Sequence, residues 1–260
     1  MVKAPAVISS RDNALLMRLR KLARTPGGYR KAGAVWLEGE HLCQTVRERG
    51  RAATQALVSE SAWLDASLRE LALHAAHTAL VSDALFASVS ALESPAAIGF
   101  VVDAPGPQAI KPGLPSVVLD RVQDAGNVGS ILRSASALGY TQVLALEGTA
   151  SLWSPKVLRA GMGAHFALDL IEGLSVPDLD ALRVPLLAAS SHADATLDEA
   201  TLPYPCAWVL GHEGQGISAT LQTRCTQTLR IPQPGGEESL NVAAAAAICL
   251  YATRRAGGWP

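Results

Sequence analysis

The chain has 260 residues, 49% hydrophobic and 17% charged, enough for ordinary globular cores and, at ~100–200 residues per domain, about two of them. No apolar run approaches the ~20 residues of a membrane span, and the opening stretch MVKAPAVISSRDN has no apolar segment of signal-peptide length, so a soluble, cytoplasmic protein is expected. The net charge of −1 hides an asymmetry, because residues 1–51 carry eleven Lys/Arg against four Asp/Glu, a bias that suits a phosphate-bearing partner or a solvated charged helix.

In chain order, residues 11–24 read as a basic helix with Asp12-Asn13 near its start. AVWLEG (34–39) reads as a strand, and EHLCQTVRERG as a helix closed by Gly50. TQALVS, TALVS and AAIGFVV (96–102) are further short strands. His74 and His77, spaced i, i+3, read as surface residues on one helix face. These elements make a small α/β domain over residues 1–103. DAPGPQAIKPGLPS (103–116) packs four prolines and two glycines into fourteen positions and marks a linker over 104–115.

Residues 116–260 alternate more clearly. PSVVLD (115–120), TQVLAL (141–146), PLLAAS (185–190), CAWVLG (206–211) and QTLRIP (227–232) are short apolar runs, mostly separated by helical patterns. Strands of that kind imply a parallel sheet buried on both faces. Ligands of such sheets sit beyond the carboxyl ends of the strands, so the segments that follow them matter most. The four cysteines, Cys43, Cys206, Cys225 and Cys249, form no C-x-x-C pair and have no histidine at zinc-ligand spacing. They read as buried reduced thiols, with no metal expected.

Three of the following segments carry chemistry. In DRVQDAGNVGSILRSASALGY (120–140), Val128, Ile131, Leu132, Ala135 and Leu138 form an apolar helical stripe closed by Gly139. Arg133 lies about 140° around the helix from Val128 and points away from the core. Asn127 and Gly129 sit near the helix start, where backbone N–H groups favour an anion. GHEGQGIS (211–218) places Glu213 among three glycines, where a simple turn would use Asn or Asp. PQPGGEESLN leads to Ser239, Leu240 and Asn241 at the head of an alanine-rich helix, where the polar side chains either cap or face a ligand.

These three segments, in this order, resemble the SpoU (TrmH) family of RNA ribose 2′-O-methyltransferases, within the SPOUT class, over roughly residues 115–256. The family's first motif is matched by Asn127, Gly129 and Arg133. Its second is matched by Gly211, Glu213 and Gly214, and its third by Ile231, Ser239, Leu240 and Asn241. Proline and asparagine usually stand where this chain has Ala125 and His212. The resemblance implies a C-terminal trefoil knot on the parallel sheet, behind a small ribosomal-protein-like RNA-binding domain. It implies S-adenosylmethionine held at the positions of Gly211, Ile231 and Leu240, and a homodimer. Arg133 would be essential for transfer to the ribose 2′-OH, either as the base helped by an RNA phosphate or as a cation that holds the phosphate and stabilises the alkoxide. Ser239 and Asn241 would position Arg133 or the RNA. Glu213 and Asn127 would order the loops. The N-terminal domain resembles that of members acting on large-subunit ribosomal RNA more than the short extensions of tRNA-specific ones, which implies ribosomal rather than transfer RNA as substrate. A transfer-RNA enzyme and a non-catalytic RNA-binding protein on the same fold remain open alternatives. A nucleotide-dependent oxidoreductase is disfavoured, because G-x-G-x-x-G and a P-loop lysine are both missing.

Overall fold

The computed structural model describes residues 4–236 and 239–258. The chain divides into two compact units: Met1–Gly106 with Trp153–Phe166, and Pro107–Leu152 with Ala167–Pro260. The stretch 153–166 therefore packs with the first unit, although sequence boundaries place it in the second domain.

The first unit runs β1 (Ala6–Ile8), α1 (Ala14–Arg24), α2 (Gly28–Ala32), β2 (Ala34–Glu38), α3 (Glu40–Glu48), β3 (Gln55–Ser59), α4 (Glu60–Leu64), α5 (Ala66–Ala72), β4 (Thr78–Val81), α6 (Asp83–Val89) and β5 (Ile98–Asp103). The basic helix begins three residues later than its pattern suggests because Asn13 caps it, accepting from the Leu15 amide at 2.9 Å. Its Leu16, Leu19 and Leu22 are buried with Trp36, Leu57 and Phe86. The five strands order β1-β4-β3-β5-β2, with β5 antiparallel to both neighbours. Gly99 of β5 makes room for Trp36, whose ring would lie 2.2 Å from a Cβ there. His74 and His77 are exposed, as expected, but they do not share a helix: α5 stops at Ala72 and both lie in the turns that follow.

The second unit begins with β6 (Ser116–Asp120), α7 (Ala125–Ala137) and β7 (Gln142–Leu146). The chain then forms α8 (Pro155–Gly161), which packs on β2 and α1 of the first unit. It returns through β8 (Asp169–Leu174), β9 (Leu186–Ala189), β10 (Ala207–Gly211), α9 (Ala219–Gln222), β11 (Gln227–Leu229) and α10 (Val242–Ala256). All six strands are parallel, in the order β11-β9-β10-β6-β7-β8. The all-parallel expectation is met, with two differences. The edge strand β8 has no clear sequence signal, because Glu172 and Gly173 interrupt its apolar run and its register with β7 shifts near Leu146. The last strand spans only 227–229, rather than 227–232.

From β6 the chain moves outward to β7 and β8, then crosses to the other side for β9 and β10. The boundary between β6 and β10 is where the winding changes direction, the usual place for a ligand crevice. Gly211 pairs level with Asp120, so the loops leaving these two strands start side by side. Helix α10 packs on α7 and β10 and buries Ala246, Cys249, Leu250 and Thr253. The buried Trp208 indole N–H donates to Thr253 Oγ1 at 2.8 Å, tying that helix to the sheet.

All four cysteines are free; Cys43, Cys206 and Cys249 are buried and Cys225 is half-buried. Burial pushes the Cys206 and Cys225 thiols up to about 11 and Cys249 to about 12, so these thiols are protonated and unreactive at neutral pH. Among the described residues, no group of three His, Cys, Asp or Glu is placed to hold a metal, and no helix is long and apolar enough to cross a membrane.

Candidate active site

The head of α7 is organised by Asp124, whose carboxylate accepts from the Asn127 amide at 2.7 Å. Ala125 occupies the first helical position, where proline is favoured because the backbone N–H has no helical partner. Alanine there leaves the helix intact. Val128, Gly129, Ile131, Leu132 and Ala135 are buried along the inner face. Arg133 is exposed on the opposite side, as its spacing requires.

The loop after β10 leaves no room for any side chain at Gly211. A Cβ there would lie 2.3 Å from the Gly216 carbonyl carbon and 2.4 Å from the Ile217 nitrogen. The loop closes on itself through paired bonds between His212 and Gly216, at 3.0 and 2.8 Å. Nδ1 of His212 accepts from the Gly214 and Gln215 amides at 3.0 and 3.2 Å. An asparagine side-chain oxygen does the same work in an Asx turn, so His212 supplies the kind of acceptor that the family resemblance leads one to expect from asparagine here. The accepting nitrogen carries no proton, which fixes the tautomer with hydrogen on Nε2.

Glu213 stands at the tip of this turn and reaches across to α7. One carboxylate oxygen accepts from the Asp124 amide at 3.1 Å and from Asn127 Nδ2 at 3.0 Å; the other accepts from the Gln123 amide at 3.3 Å. Partial burial pushes its carboxyl up. The Asn127 carboxamide and the backbone N–H groups outweigh that and hold it below the usual carboxylate range. Glu213 is therefore an ionised strut that accepts three hydrogen bonds, and its lowered pKa makes it a weak general base.

The head of α10 joins the same network. Asn241 Oδ1 caps the helix, accepting from the Ala243 and Ala244 amides at 2.9 and 3.3 Å, while its Nδ2 donates to Asn127 Oδ1 at 2.9 Å. Asn127 thus receives from Asn241 and gives to Glu213, linking three loops that are far apart in sequence. Glu237 and Glu238, in the third segment, lie outside the described residues.

Beside this network is a cleft of about 530 Å³ at the carboxyl ends of β9, β10 and β11. Gly211, Glu213, Ile231, Ser239, Leu240 and Asn241 all line it. Asn127 is bonded to two of those residues. Arg133 stands apart: it does not line the cleft and makes no hydrogen bond or ion pair among the described residues. Sequence reasoning missed the pair at the end of β6, Asp120 and Arg121, which bond to the loop after β10. The one available signal was a carboxylate ending an apolar strand at the ligand-binding edge. The Asp124 cap was also missed, although it stands three residues ahead of Asn127 in the usual capping position.

The model of the SpoU rRNA Methylase family matches residues 115–251. An uncharacterized tRNA/rRNA methyltransferase of Synechocystis sp. is 32% identical over 96% of this chain and 94% of its own length. The 23S rRNA (guanosine(2553)-2′-O)-methyltransferase RlmP of Bacillus subtilis is 29% identical over 95% of this chain and 98% of its own. The crystal structure of the SpoU methyltransferase AviRb from Streptomyces viridochromogenes in complex with AdoMet superposes with a TM-score of 0.83. It is 25% identical, covering 94% of this chain and 97% of that one.

Proposed function

The chain belongs to the SpoU rRNA methylase family, and from that membership we propose that it methylates a ribose 2′-OH of ribosomal RNA with S-adenosylmethionine as donor. The observation that carries the reading is the Asn241–Asn127–Glu213 chain of hydrogen bonds, which gathers the three family motifs beside one cleft.

The residues present fit the cofactor. The cleft volume is within the ~300–1,000 Å³ typical of small-molecule sites. Its floor is bare backbone at Gly211, and Leu210, Ile217, Leu229, Ile231 and Leu240 supply apolar wall. The main chain of 211–217, Ile231 and Leu240 would hold the cofactor. When bound, S-adenosylmethionine supplies an electrophilic methyl group on a sulfonium, so no metal is required. Fixing the ribose oxygen in line with that group can contribute ~7–11 kcal/mol.

The protein's part is to position the RNA and stabilise charge on the 2′-oxygen. Arg133 brings a guanidinium, the planar cationic group suited to phosphate recognition. It would hold an RNA phosphate and stabilise the developing alkoxide electrostatically. Ser239 and Asn241 line the cleft and would face the ribose. Arg133 lies outside its own chain's cleft, as a site completed by a second copy requires. The exposed Ile248 and Tyr251 on the outer face of α10 supply apolar surface for that homodimer. The family resemblance adds a trefoil knot in the C-terminal part of the chain, which we adopt as part of this reading.

RNA is the partner that the first unit's charge favours. Arg11, Arg18, Lys21, Arg24, Arg30 and Lys31 are exposed on and beside α1 and α2, and α8 adds exposed Lys156 and Arg159 to the same unit. Both full-length relatives are named for ribosomal RNA, one jointly with transfer RNA. Ribosomal RNA also argues for a cytoplasmic site of action. The test compares 2′-O-methyl nucleosides, by mass spectrometry, in ribosomal and transfer RNA from cells with and without the gene. A ribose methylation lost from ribosomal RNA supports the proposal; one lost only from transfer RNA moves the substrate. No loss from either overturns the activity in favour of a non-catalytic RNA-binding role.

A further inference from the structure

Arg121 has a φ of 58°, a left-handed backbone that arginine rarely adopts. Such a conformation persists only where its surroundings enforce it. Here the Arg121 amide donates to Thr149 Oγ1 at 3.1 Å, and that hydroxyl donates to the Leu119 carbonyl at 3.0 Å. Gly148, itself at a φ of 86°, leaves space for the side chain, since a Cβ there would lie 3.1 Å from Arg121 Cγ.

The guanidinium so directed has three acceptors. Nε donates to Asp120 Oδ1 at 3.1 Å, Nη1 to Gln215 Oε1 at 2.9 Å, and Nη2 to the Gly216 carbonyl at 3.4 Å. Asp120 is 3% exposed and uses its other oxygen to accept from the Ser218 amide at 2.6 Å. One charge pair at the end of β6 therefore grips the neighbouring loop on its returning arm, Gln215-Gly216, and at its exit, Ser218. Residues 211–217 of that loop line the cleft, whereas Arg121 does not.

We propose that Arg121 is a positioning residue for the cofactor: with Asp120 it clamps the 212–218 loop from behind, so the cleft is formed before S-adenosylmethionine enters. The proposal rests on the methyltransferase reading of the cleft. A preformed site spares the ordering of a loop on binding, and the benefit appears as affinity. The clamp should therefore set cofactor binding and leave the chemical step and RNA binding unchanged.

Arg121→Lys keeps a cation beside Asp120 but cannot bond Asp120, Gln215 and Gly216 at once. Gln215→Ala removes the acceptor on the loop's returning arm and leaves the charge pair intact. Each variant should fold with a Tm near wild type and raise the Kd for S-adenosylmethionine about ten-fold, the scale of one charge-assisted hydrogen bond. KM for the cofactor should rise in parallel, with kcat at saturation and KM for RNA unchanged. The double variant should bind no more weakly than the weaker single, because both changes open the same clamp. Cofactor Kd within about two-fold of wild type in both singles overturns the clamp. Fully additive losses overturn it too, by making Gln215 a direct cofactor contact. Wild-type protein that binds no S-adenosylmethionine overturns the reading of the cleft itself, an outcome distinguishable from failure of the clamp alone.

Discussion

The Asn241 carboxamide donates to that of Asn127 at 2.9 Å, joining the heads of α10 and α7 across 114 residues of sequence. The same side chain caps α10 through its oxygen, so capping and site assembly are one arrangement.

Asn241→Asp separates those two roles. The aspartate keeps the capping oxygen and suits a helix N-terminus, but it cannot donate to Asn127. Thermal unfolding should then stay near wild type while methyl transfer falls by an order of magnitude or more. Asn241→Ala should lose the cap as well, at about 1 kcal/mol of stability. If Asn241→Asp transfers methyl groups at the wild-type rate, the Asn127 link has no part in catalysis.

Glu213→Gln tests the strut. The Glu213 carboxyl is held below its ordinary value of 4.5 in the folded chain. A depressed carboxylate contributes stability that is fully present above the unfolded pKa and lost as pH falls through the folded one. The wild type should exceed Glu213→Gln in stability at pH 7 by no more than about 1 kcal/mol, given the exposure of the site. That advantage should shrink as pH is lowered through and below about 4.5. Denaturant unfolding at several pH values checks it; a pH-independent difference contradicts the ionised strut.

Gly211→Ala places a methyl group 2.3 Å from backbone that cannot move without distorting the cleft. We expect a loss of about 2–3 kcal/mol in stability and a Kd for S-adenosylmethionine raised at least ten-fold, by calorimetry. Unchanged affinity would mean that this part of the loop does not form the cofactor floor.

Ala125→Pro restores the family's usual residue. Position 125 opens α7, and Asp124 already has the extended backbone that precedes proline comfortably, with ψ 122°. Stability should rise by about 0.4–1 kcal/mol through the unfolded state, with activity retained. A lower Tm would show that the backbone at this turn differs from the geometry described.

Much of the second unit was legible in the sequence, since strands buried on both faces announce themselves as short apolar runs and Arg133 follows from helical phase alone. What escaped depended on contacts distant in the chain. Glu172 and Gly173 blur the edge strand β8, which pairs on one side only. The stretch 153–166 is assigned to the first unit by packing on β2 and α1, which local pattern cannot reveal. Arg121 reads as an ordinary charged loop residue until its φ and its reach to Gln215 are known. His212 reads as a departure from the family pattern, and only the Nδ1 contacts identify it as a substitute turn acceptor.

The most direct test of the whole account is transfer itself: purified protein, S-adenosylmethionine and unmodified ribosomal RNA, with wild type set beside Arg133→Ala. A 2′-O-methyl nucleoside is expected from the wild type and none from the variant, which still binds the cofactor with near wild-type affinity and unfolds within about 0.5 kcal/mol of it, as an exposed substitution should. A variant that methylates RNA at close to the wild-type rate, or a wild type that methylates no ribose at all, would contradict it.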